Sequence, residues 1–206
     1  MNILPVWLIY AAALIRLGGG FAYIRATIRG EAKPNPVSWL LWSFTPLISF
    51  FAGLSNGFDA LLIVTLATGI SPLLVFLIAV VKNPRSLRFN KLNVSCFIIA
   101  LLGIGLWTIT DHPLLAIWLA ILADIVSAIP TLAKIIRHPY SEYMPTYIIN
   151  GGGMLLAILA TDTLSPLALA FPIYILLINI VIVGLIASVR AKRRLQIKQG
   201  IARSRK

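Results

Sequence analysis

The sequence predicts an all-α integral membrane protein with seven transmembrane helices in a 3+1+3 arrangement of parallel repeats. Its composition is the first observation: 59% of the 206 residues are hydrophobic and only 12% are charged, and the mean hydropathy is +0.93. A soluble domain of this length cannot hide so much apolar surface in one core. The other two observations are the spacing of the apolar segments and the placement of the basic residues.

Seven apolar segments are separated by short polar turns, and each is close to the ~20 residues that cross a hydrocarbon core of ~30 Å. No alternating β pattern competes with them, so we expect helices whose backbone groups are satisfied internally. The predicted spans are 3–24, 37–54, 60–81, 92–109, 113–133, 143–160 and 166–189. The lipid bilayer is therefore the first expected partner.

The basic residues predict the orientation. Of the 18 Lys and Arg residues, 17 lie in the turns after spans one, three and five or in the C-terminal tail, and the turns 55–59, 110–112 and 161–165 hold none. The positive-inside rule then gives a multi-pass protein of the cytoplasmic (inner or plasma) membrane, with its N-terminus outside and its C-terminus in the cytoplasm. The polybasic tail is expected to lie on anionic lipid, where each basic residue contributes ~1 kcal/mol.

An ungapped shift of 108 residues brings spans one to three onto spans five to seven. Under this shift Arg16 falls on Asp124, and residues 77–79 fall on the identical residues 185–187. Span four has no counterpart and supplies the linker helix that two units of the same orientation need. We expect the two halves to be related by an axis along the membrane normal. The predicted units are a first triple-helix bundle (1–82), a basic loop with the linker helix (83–112), a second triple-helix bundle (113–190) and the basic cytoplasmic tail (191–206).

The 3+1+3 arrangement resembles the PQ-loop and SWEET superfamily of small-solute transporters (the MtN3-saliva type) over residues 14–190. The family's Pro-Gln pairs read Ala-Tyr at 22–23 and Pro-Thr at 130–131, so this chain departs from the pattern in both repeats. Residues 141–145, Ser-Glu-Tyr-Met-Pro, are similar to the SWEET entry to the sixth helix, whereas the Pro-Asn pair of the last helix reads Pro-Ile at 172–173. The resemblance implies the seven-helix architecture and alternating access between two three-helix bundles. It implies a sugar as the solute less strongly.

Arg16 and Asp124 are the charged residues well inside the spans, and the repeat places them at equal depth. A charge at the bilayer centre costs at least ~2.5–3.5 kcal/mol on insertion scales, so such residues usually face a cavity or a partner. We expect the two side chains to approach one another near the midplane, between the repeats. An ion pair in the solute pathway, a static bridge between bundles and an Arg16 that snorkels to the headgroups are the alternatives.

Polar and aromatic side chains inside the spans complete the candidate site. An amide such as that of Asn150 or Asn179 is costly in the membrane unless it is bonded, and the alternative role is a helix–helix hydrogen bond worth ~1–2 kcal/mol or less. For Ser and Thr, a bond to their own helix backbone is the simpler expectation. The predicted solute-binding residues are Arg16, Asp124, Asn150, Asn179, Trp42 and Ser71.

Prolines and tryptophans give two further expectations. Pro46 and Pro130 each remove a helix hydrogen bond and are the candidate hinges, with a fixed bend as the alternative. Trp7, Trp39 and Trp107 lie near span ends and are predicted to be interfacial anchors.

The remaining features exclude several classes of function. A net charge of +12 would indicate nucleic acid in a soluble protein, but here the charge lies in turns and a tail beside apolar segments. The chain shows no metal-ligand cluster, no hydrolase constellation and no phosphate loop, so neither an enzyme nor a cofactor is expected.

A membrane transporter of a small polar solute (a sugar, an amino acid or a related metabolite) is the function that remains. The alternative is a non-transporting receptor, sorting factor or scaffold on the same fold. A polar cavity between spans one, two, five and six would favour transport, and a dry interface would favour the alternative. The sequence leaves open the identity of the solute, coupling to protons and assembly into a homo-oligomer.

Overall fold

The computed structural model describes residues 7–54, 60–87, 90–110, 113–160 and 166–204. Within these ranges the chain forms seven α-helices and a short 3-10 turn at Pro84–Ser86. The helices are α1 (Trp7–Ile28), α2 (Pro36–Leu54), α3 (Ala60–Lys82), α4 (Lys91–Thr108), α5 (Pro113–Arg137), α6 (Met144–Ala160) and α7 (Pro166–Ser204). The prediction of an all-helical chain with seven helices is confirmed for the described residues.

Four of these helices contain stretches that are long and apolar enough to cross a membrane: Trp7–Ile28, Leu62–Lys82, Ile117–Arg137 and Leu169–Ile197. The apolar parts of α2, α4 and α6 are shorter. The turns predicted at 55–59 and 161–165 lie outside the described residues, as do two of the three positions at 110–112.

We call the end of the molecule that carries the basic turns the basic end. Helices α1, α3 and α5 end there and extend beyond the predicted spans. Arg25 lies in the last turn of α1, and Lys134 and Arg137 lie in the last turn of α5, so these residues are helical rather than part of a loop. Cations are favourable there because the C-terminus of a helix carries partial negative charge. The prediction placed these residues after the helices because it followed hydropathy alone.

Gly30 fixes the end of α1. Its φ of 77° is favourable for glycine, and its N–H donates to Thr27 O at 3.1 Å while Glu31 N–H donates to Ala26 O at 2.9 Å. This pair of bonds is a Schellman motif, which satisfies carbonyls left free by the last helical turn. The turn that follows is joined to the α5–α6 turn, because Lys33 N–H donates to Ser141 O at 2.8 Å.

The last helix, α7, continues without a break through residue 204, so the basic tail is an extension of the final apolar helix. Arg190 donates from Nε to Pro139 O at 3.0 Å and from Nη2 to Glu142 O at 2.8 Å, and Arg193 donates to Arg137 O. Part of the tail is therefore held by the α5–α6 turn, which the sequence did not predict.

The contacts between helices follow one pattern in both halves of the chain. Helix α3 contacts α1 and α2, and α7 contacts α5 and α6 in the same way. The two groups meet where α1 packs on α6 and where α2 packs on α5. The 108-residue shift pairs α1 with α5, α2 with α6 and α3 with α7. When each helix is replaced by its counterpart, the same set of helix contacts results. Helix α4 has no counterpart under the shift and packs mainly on α5.

The largest buried cluster lies toward the basic end and contains aromatic side chains. Trp39 is 3% exposed, and its ring centroid lies 4.4 Å from that of Tyr23, which in turn lies 6.3 Å from the ring of Tyr147. The prediction of Trp39 as an interfacial anchor is therefore wrong. Hydropathy locates the end of a helix but does not tell whether a residue there faces inward.

The glycines of α1 determine how closely this helix packs on α3. A methyl group on Gly20 would lie 1.5 Å from Ser71 Oγ and 2.8 Å from Ser71 Cβ, whereas one on Gly18 would meet nothing within 4 Å. Ser71 is buried, so it has little room to move away. Gly20 is therefore required for close packing, and Gly18 is not.

We expect Gly20→Ala to destabilise the protein by ~1–3 kcal/mol, because overpacking forces neighbouring atoms apart. Gly18→Ala is the matched control and should be neutral or stabilising, since alanine is the better helix former by ~1 kcal/mol. Thermal unfolding in mild detergent measures both. Adding Ser71→Gly to Gly20→Ala should restore part of the loss, and equal unfolding temperatures for the two single variants would contradict the α1–α3 contact.

Candidate functional site

A cavity of about 70 Å³ lies between α1, α2, α3, α5, α6 and α7, and we call it the central cavity. A space of this size with polar groups in its wall is large enough to hold water. Its lining residues are Arg16, Trp39, Trp42, Pro46, Thr68, Pro72, Asp124, Tyr147, Asn150, Ile175, Ile178, Asn179 and Ile182. Helix α4 contributes none of them.

Most of the residues predicted for the site meet in this cavity. Five of the six solute-binding candidates line it: Arg16, Asp124, Asn150, Asn179 and Trp42. The sixth, Ser71, is buried against Gly20 of α1 and is not among the lining residues. Of the two candidate hinges, Pro46 lines the cavity and Pro130 is buried elsewhere in α5.

Arg16 reaches the cavity from the middle of α1 and is 7% exposed. Its Nη1 donates to the backbone oxygen of Asn150 on α6 at 3.4 Å, and its Nε has no hydrogen-bond partner. Gly153 provides room for the side chain, because a methyl group there would lie 3.0 Å from Arg16 Cγ. Leaving a buried donor unpaired costs free energy, so the guanidinium retains a donor for a further partner.

Asp124 faces the same cavity from α5 and is 4% exposed. Its Oδ2 accepts a hydrogen bond of 2.6 Å from the hydroxyl of Tyr174 on α7. Its backbone oxygen accepts a long bond of 3.4 Å from Nε1 of Trp42 on α2. The carboxylate is thus positioned by a neutral donor from another helix.

The two opposite charges share the cavity but do not pair. No nitrogen of Arg16 lies within 4.0 Å of an Asp124 carboxylate oxygen. Arg16 is directed toward α6 and Asp124 toward α7, so each is held by a different neighbour. The expected common cavity is found, whereas the ion pair and the static bridge are absent, and Arg16 does not snorkel.

Several polar side chains near the cavity bond their own helices. Ser43 donates to Leu40 O, Thr68 to Val64 O and Ser127 to Ala123 O, at 2.6–2.7 Å. This confirms the expectation for these Ser and Thr residues. Asn179 behaves similarly, since its Nδ2 donates to Ile175 O at 2.8 Å, although it also lines the cavity.

Sequence reasoning missed a group of interacting residues next to the central cavity. Glu142 is 1% exposed, and its Oε2 accepts hydrogen bonds from Tyr23 at 2.6 Å and from Tyr147 at 2.7 Å. Its Oε1 forms an ion pair with Lys134. We call these four residues the Glu142 cluster. The signal in the sequence was a lone acid in the basic turn between spans five and six.

The Glu142 cluster joins helices that are far apart in the chain. Tyr23 belongs to α1 and Tyr147 to α6. Lys134 lies in the last turn of α5 and also donates to the backbone oxygen of Lys33. Tyr147 and Trp39 belong to both the cavity lining and the buried aromatic cluster. The aromatic cluster therefore borders the central cavity.

Comparisons with protein-family models, with curated proteins and with solved structures find no match to this chain. The functional inference therefore rests on the cavity itself.

The central cavity combines charged, amide and aromatic groups. It offers one cation, one anion, two side-chain amides and the rings of two tryptophans within a largely apolar wall. Such a mixture is typical of ligand sites, where a few placed polar groups fix orientation. The described residues hold no group of three or more His, Cys, Asp and Glu side chains arranged for a metal ion.

We expect Tyr23→Phe and Tyr147→Phe each to lower the free energy of unfolding by ~1.5–3 kcal/mol, because each removes a hydrogen bond to a buried carboxylate. Tyr140→Phe is the matched control. Tyr140 is exposed, and the guanidinium group of Arg190 lies over the face of its ring. Phenylalanine keeps this ring face. Its effect should stay within ~0.5 kcal/mol. Unfolding in detergent, followed by circular dichroism, measures all three, and equal losses would show that the hydroxyls do not anchor Glu142.

Proposed function

We propose that the chain is an integral membrane transporter that moves a small polar solute by alternating access. The observation that carries this proposal is the central cavity, in which Arg16 and Asp124 are buried without pairing. The two charges act on each other across the cavity without direct contact. Burying a charge without a close partner of opposite charge is costly, so a solute that contacts both residues is the explanation that we favour.

The surface of the molecule supports a membrane location. Large apolar side chains are exposed along α4 and α7, among them Ile98, Ile99, Leu102, Leu177 and Ile180. Soluble monomers rarely expose such continuous apolar faces. Helices α2, α4 and α6 have 19, 18 and 17 residues, which at ~1.5 Å per residue approach the ~30 Å of a hydrocarbon core. We therefore propose that all seven helices span the bilayer.

The pattern of helix contacts supports two three-helix bundles joined by a linker. In this proposal α1, α2 and α3 form the first bundle, α5, α6 and α7 form the second, and α4 connects them. Two bundles of the same orientation need an odd number of connecting spans, and one helix is enough. The arrangement supports the resemblance to PQ-loop and SWEET transporters, which we retain as a proposal.

Access to the cavity would be controlled at the basic end by the Glu142 cluster. The hydrogen bond of Tyr23 to Glu142 and that of Lys33 to Ser141 both join the first bundle to the second. Opening toward this end requires these bonds to break while each bundle stays intact. The positive-inside rule makes this the cytoplasmic end.

A receptor or scaffold on the same fold would need no charged cavity between its bundles. A dry, well-packed interface would have favoured it, and Arg16 and Asp124 favour the transporter instead.

The orientation can be tested by labelling single cysteines in a Cys96→Ala background, since Cys96 is the only cysteine and is buried. An impermeant reagent added outside intact cells should label a cysteine at Asn56 and should not label one at Ser204. Permeabilised cells provide the control for Ser204. Labelling of Ser204 alone from outside would overturn the orientation.

The transport proposal predicts saturable uptake into proteoliposomes of at least one solute from a panel of labelled sugars, amino acids and small organic ions. Running the panel with and without a pH gradient decides whether protons are coupled. Uptake should be lost in Arg16→Ala and in Asp124→Ala, and the double variant should not regain it, because the two charges do not pair. Arg25→Ala, an exposed charge on the same helix, is the control. A folded protein that takes up no solute would contradict the proposal.

A further inference from the structure

We infer that the solute is a small zwitterion of the α-amino acid type, with its carboxylate at Arg16 and its ammonium group at Asp124. This inference rests on the proposed function and adds the class of solute. It follows from the two opposite charges in the cavity, from the hydrogen-bonding capacity that they have left and from the volume of the cavity.

The unpaired charges are the first step. Opposite charges in an apolar cavity attract strongly because the local dielectric constant is low. Arg16 and Asp124 act on each other across the cavity but are not in direct contact. Arg16 donates to Asn150 O on α6, and Asp124 accepts from Tyr174 on α7. A solute with both charges satisfies both residues at once. An anion would leave Asp124 unpaired, a cation would leave Arg16 unpaired, and a neutral sugar would leave both.

The open donor of Arg16 is the second step. The side chain is 93% buried, since its exposed fraction is 7%, and its Nε has no partner. The guanidinium group presents parallel N–H donors that match the two oxygens of a carboxylate. The bond from Nη1 to Asn150 O, at 3.4 Å, is long and uses only one of the five donors. Arg16 lines the cavity, and the donors that this bond leaves unused give the guanidinium group capacity to bind a carboxylate.

The surroundings of Asp124 fit an ammonium group. Tyr174 holds Oδ2 and so fixes the direction in which the carboxylate faces. Trp39 and Trp42 line the same cavity, with ring centroids 5.4 Å apart. Indole faces attract ammonium groups. The cavity thus provides an anion and aromatic surfaces for the positive end of the solute.

The remaining polar groups argue against a sugar. A sugar needs many hydrogen-bonding side chains around its hydroxyl groups, but Thr68 Oγ1 and Asn179 Nδ2 already donate to their own helices. A volume of about 70 Å³ also favours a small solute in this conformation. Glycine, alanine and serine are the amino acids that best fit these limits.

The inference can be tested by binding rather than by transport. Glycine, L-alanine and L-serine are titrated into the purified full chain in detergent, next to N-acetyl-L-alanine (an anion), L-alanine methyl ester (a cation) and glucose. Isothermal titration calorimetry gives the affinity and thermal unfolding confirms the folded state. At least one zwitterion should bind, and the three comparison compounds should bind roughly tenfold or more weakly, since each forfeits a charge-assisted contact.

Two conservative variants assign the ends of the solute. Asp124→Asn keeps an acceptor for Tyr174 and removes the charge, so it should weaken zwitterion binding roughly tenfold or more and leave N-acetyl-L-alanine unaffected. Arg16→Gln should weaken both the zwitterion and N-acetyl-L-alanine. Arg25→Gln, on the same helix and exposed, should change neither.

The outcomes separate this inference from the proposed function. Tighter binding of glucose, of the anion or of the cation would overturn the zwitterion and leave a transporter of another solute. Binding of none of the compounds would also overturn it, and the uptake panel would then decide on transport independently. Equal losses in Arg16→Gln and Arg25→Gln would remove Arg16 from the binding contact.

Discussion

The structure depends on the high free-energy cost of burying a charge among apolar helices. Arg16 and Asp124 are both buried where the two halves of the chain meet, and neither has the other as a partner. Arg16 instead donates one hydrogen bond to Asn150 O on α6, and Asp124 accepts one from the Tyr174 hydroxyl on α7. The bonding capacity that remains supports the proposal that the central cavity binds a solute.

The two buried acids differ in a way that separates their roles. Glu142 is held by three groups, because its Oε2 accepts hydrogen bonds from two tyrosine hydroxyls and its Oε1 forms an ion pair with Lys134. Among the described residues, the carboxylate of Asp124 accepts a hydrogen bond from Tyr174 alone. A buried group with many partners stabilises one arrangement of the helices, whereas one with few partners is available to a ligand. This difference supports the proposal that Glu142 holds the helices together and that Asp124 binds the solute.

Glycine allows the helices to come close enough for these contacts. A methyl group on Gly19 would lie 2.4 Å from Asn150 Oδ1, and one on Gly153 would lie 3.0 Å from Arg16 Cγ. The contact of α1 with α6 therefore depends on a small residue from each helix. The same close approach lets Thr146 donate to Gly19 O at 3.0 Å. Packing and the geometry of the site are thus set by the same residues.

The sequence by itself determined the seven helices and, through the repeat, the meeting of Arg16 and Asp124 in one cavity. Both follow from local hydropathy and from spacing along the chain. Only the tertiary structure decided that Tyr174 bonds Asp124, that Trp39 is buried and that Tyr23 bonds Glu142 across 119 residues. The reason is physical: helices such as α1, α4 and α7 show little hydrophobic periodicity, so the pattern of apolar residues does not tell which side faces a neighbouring helix.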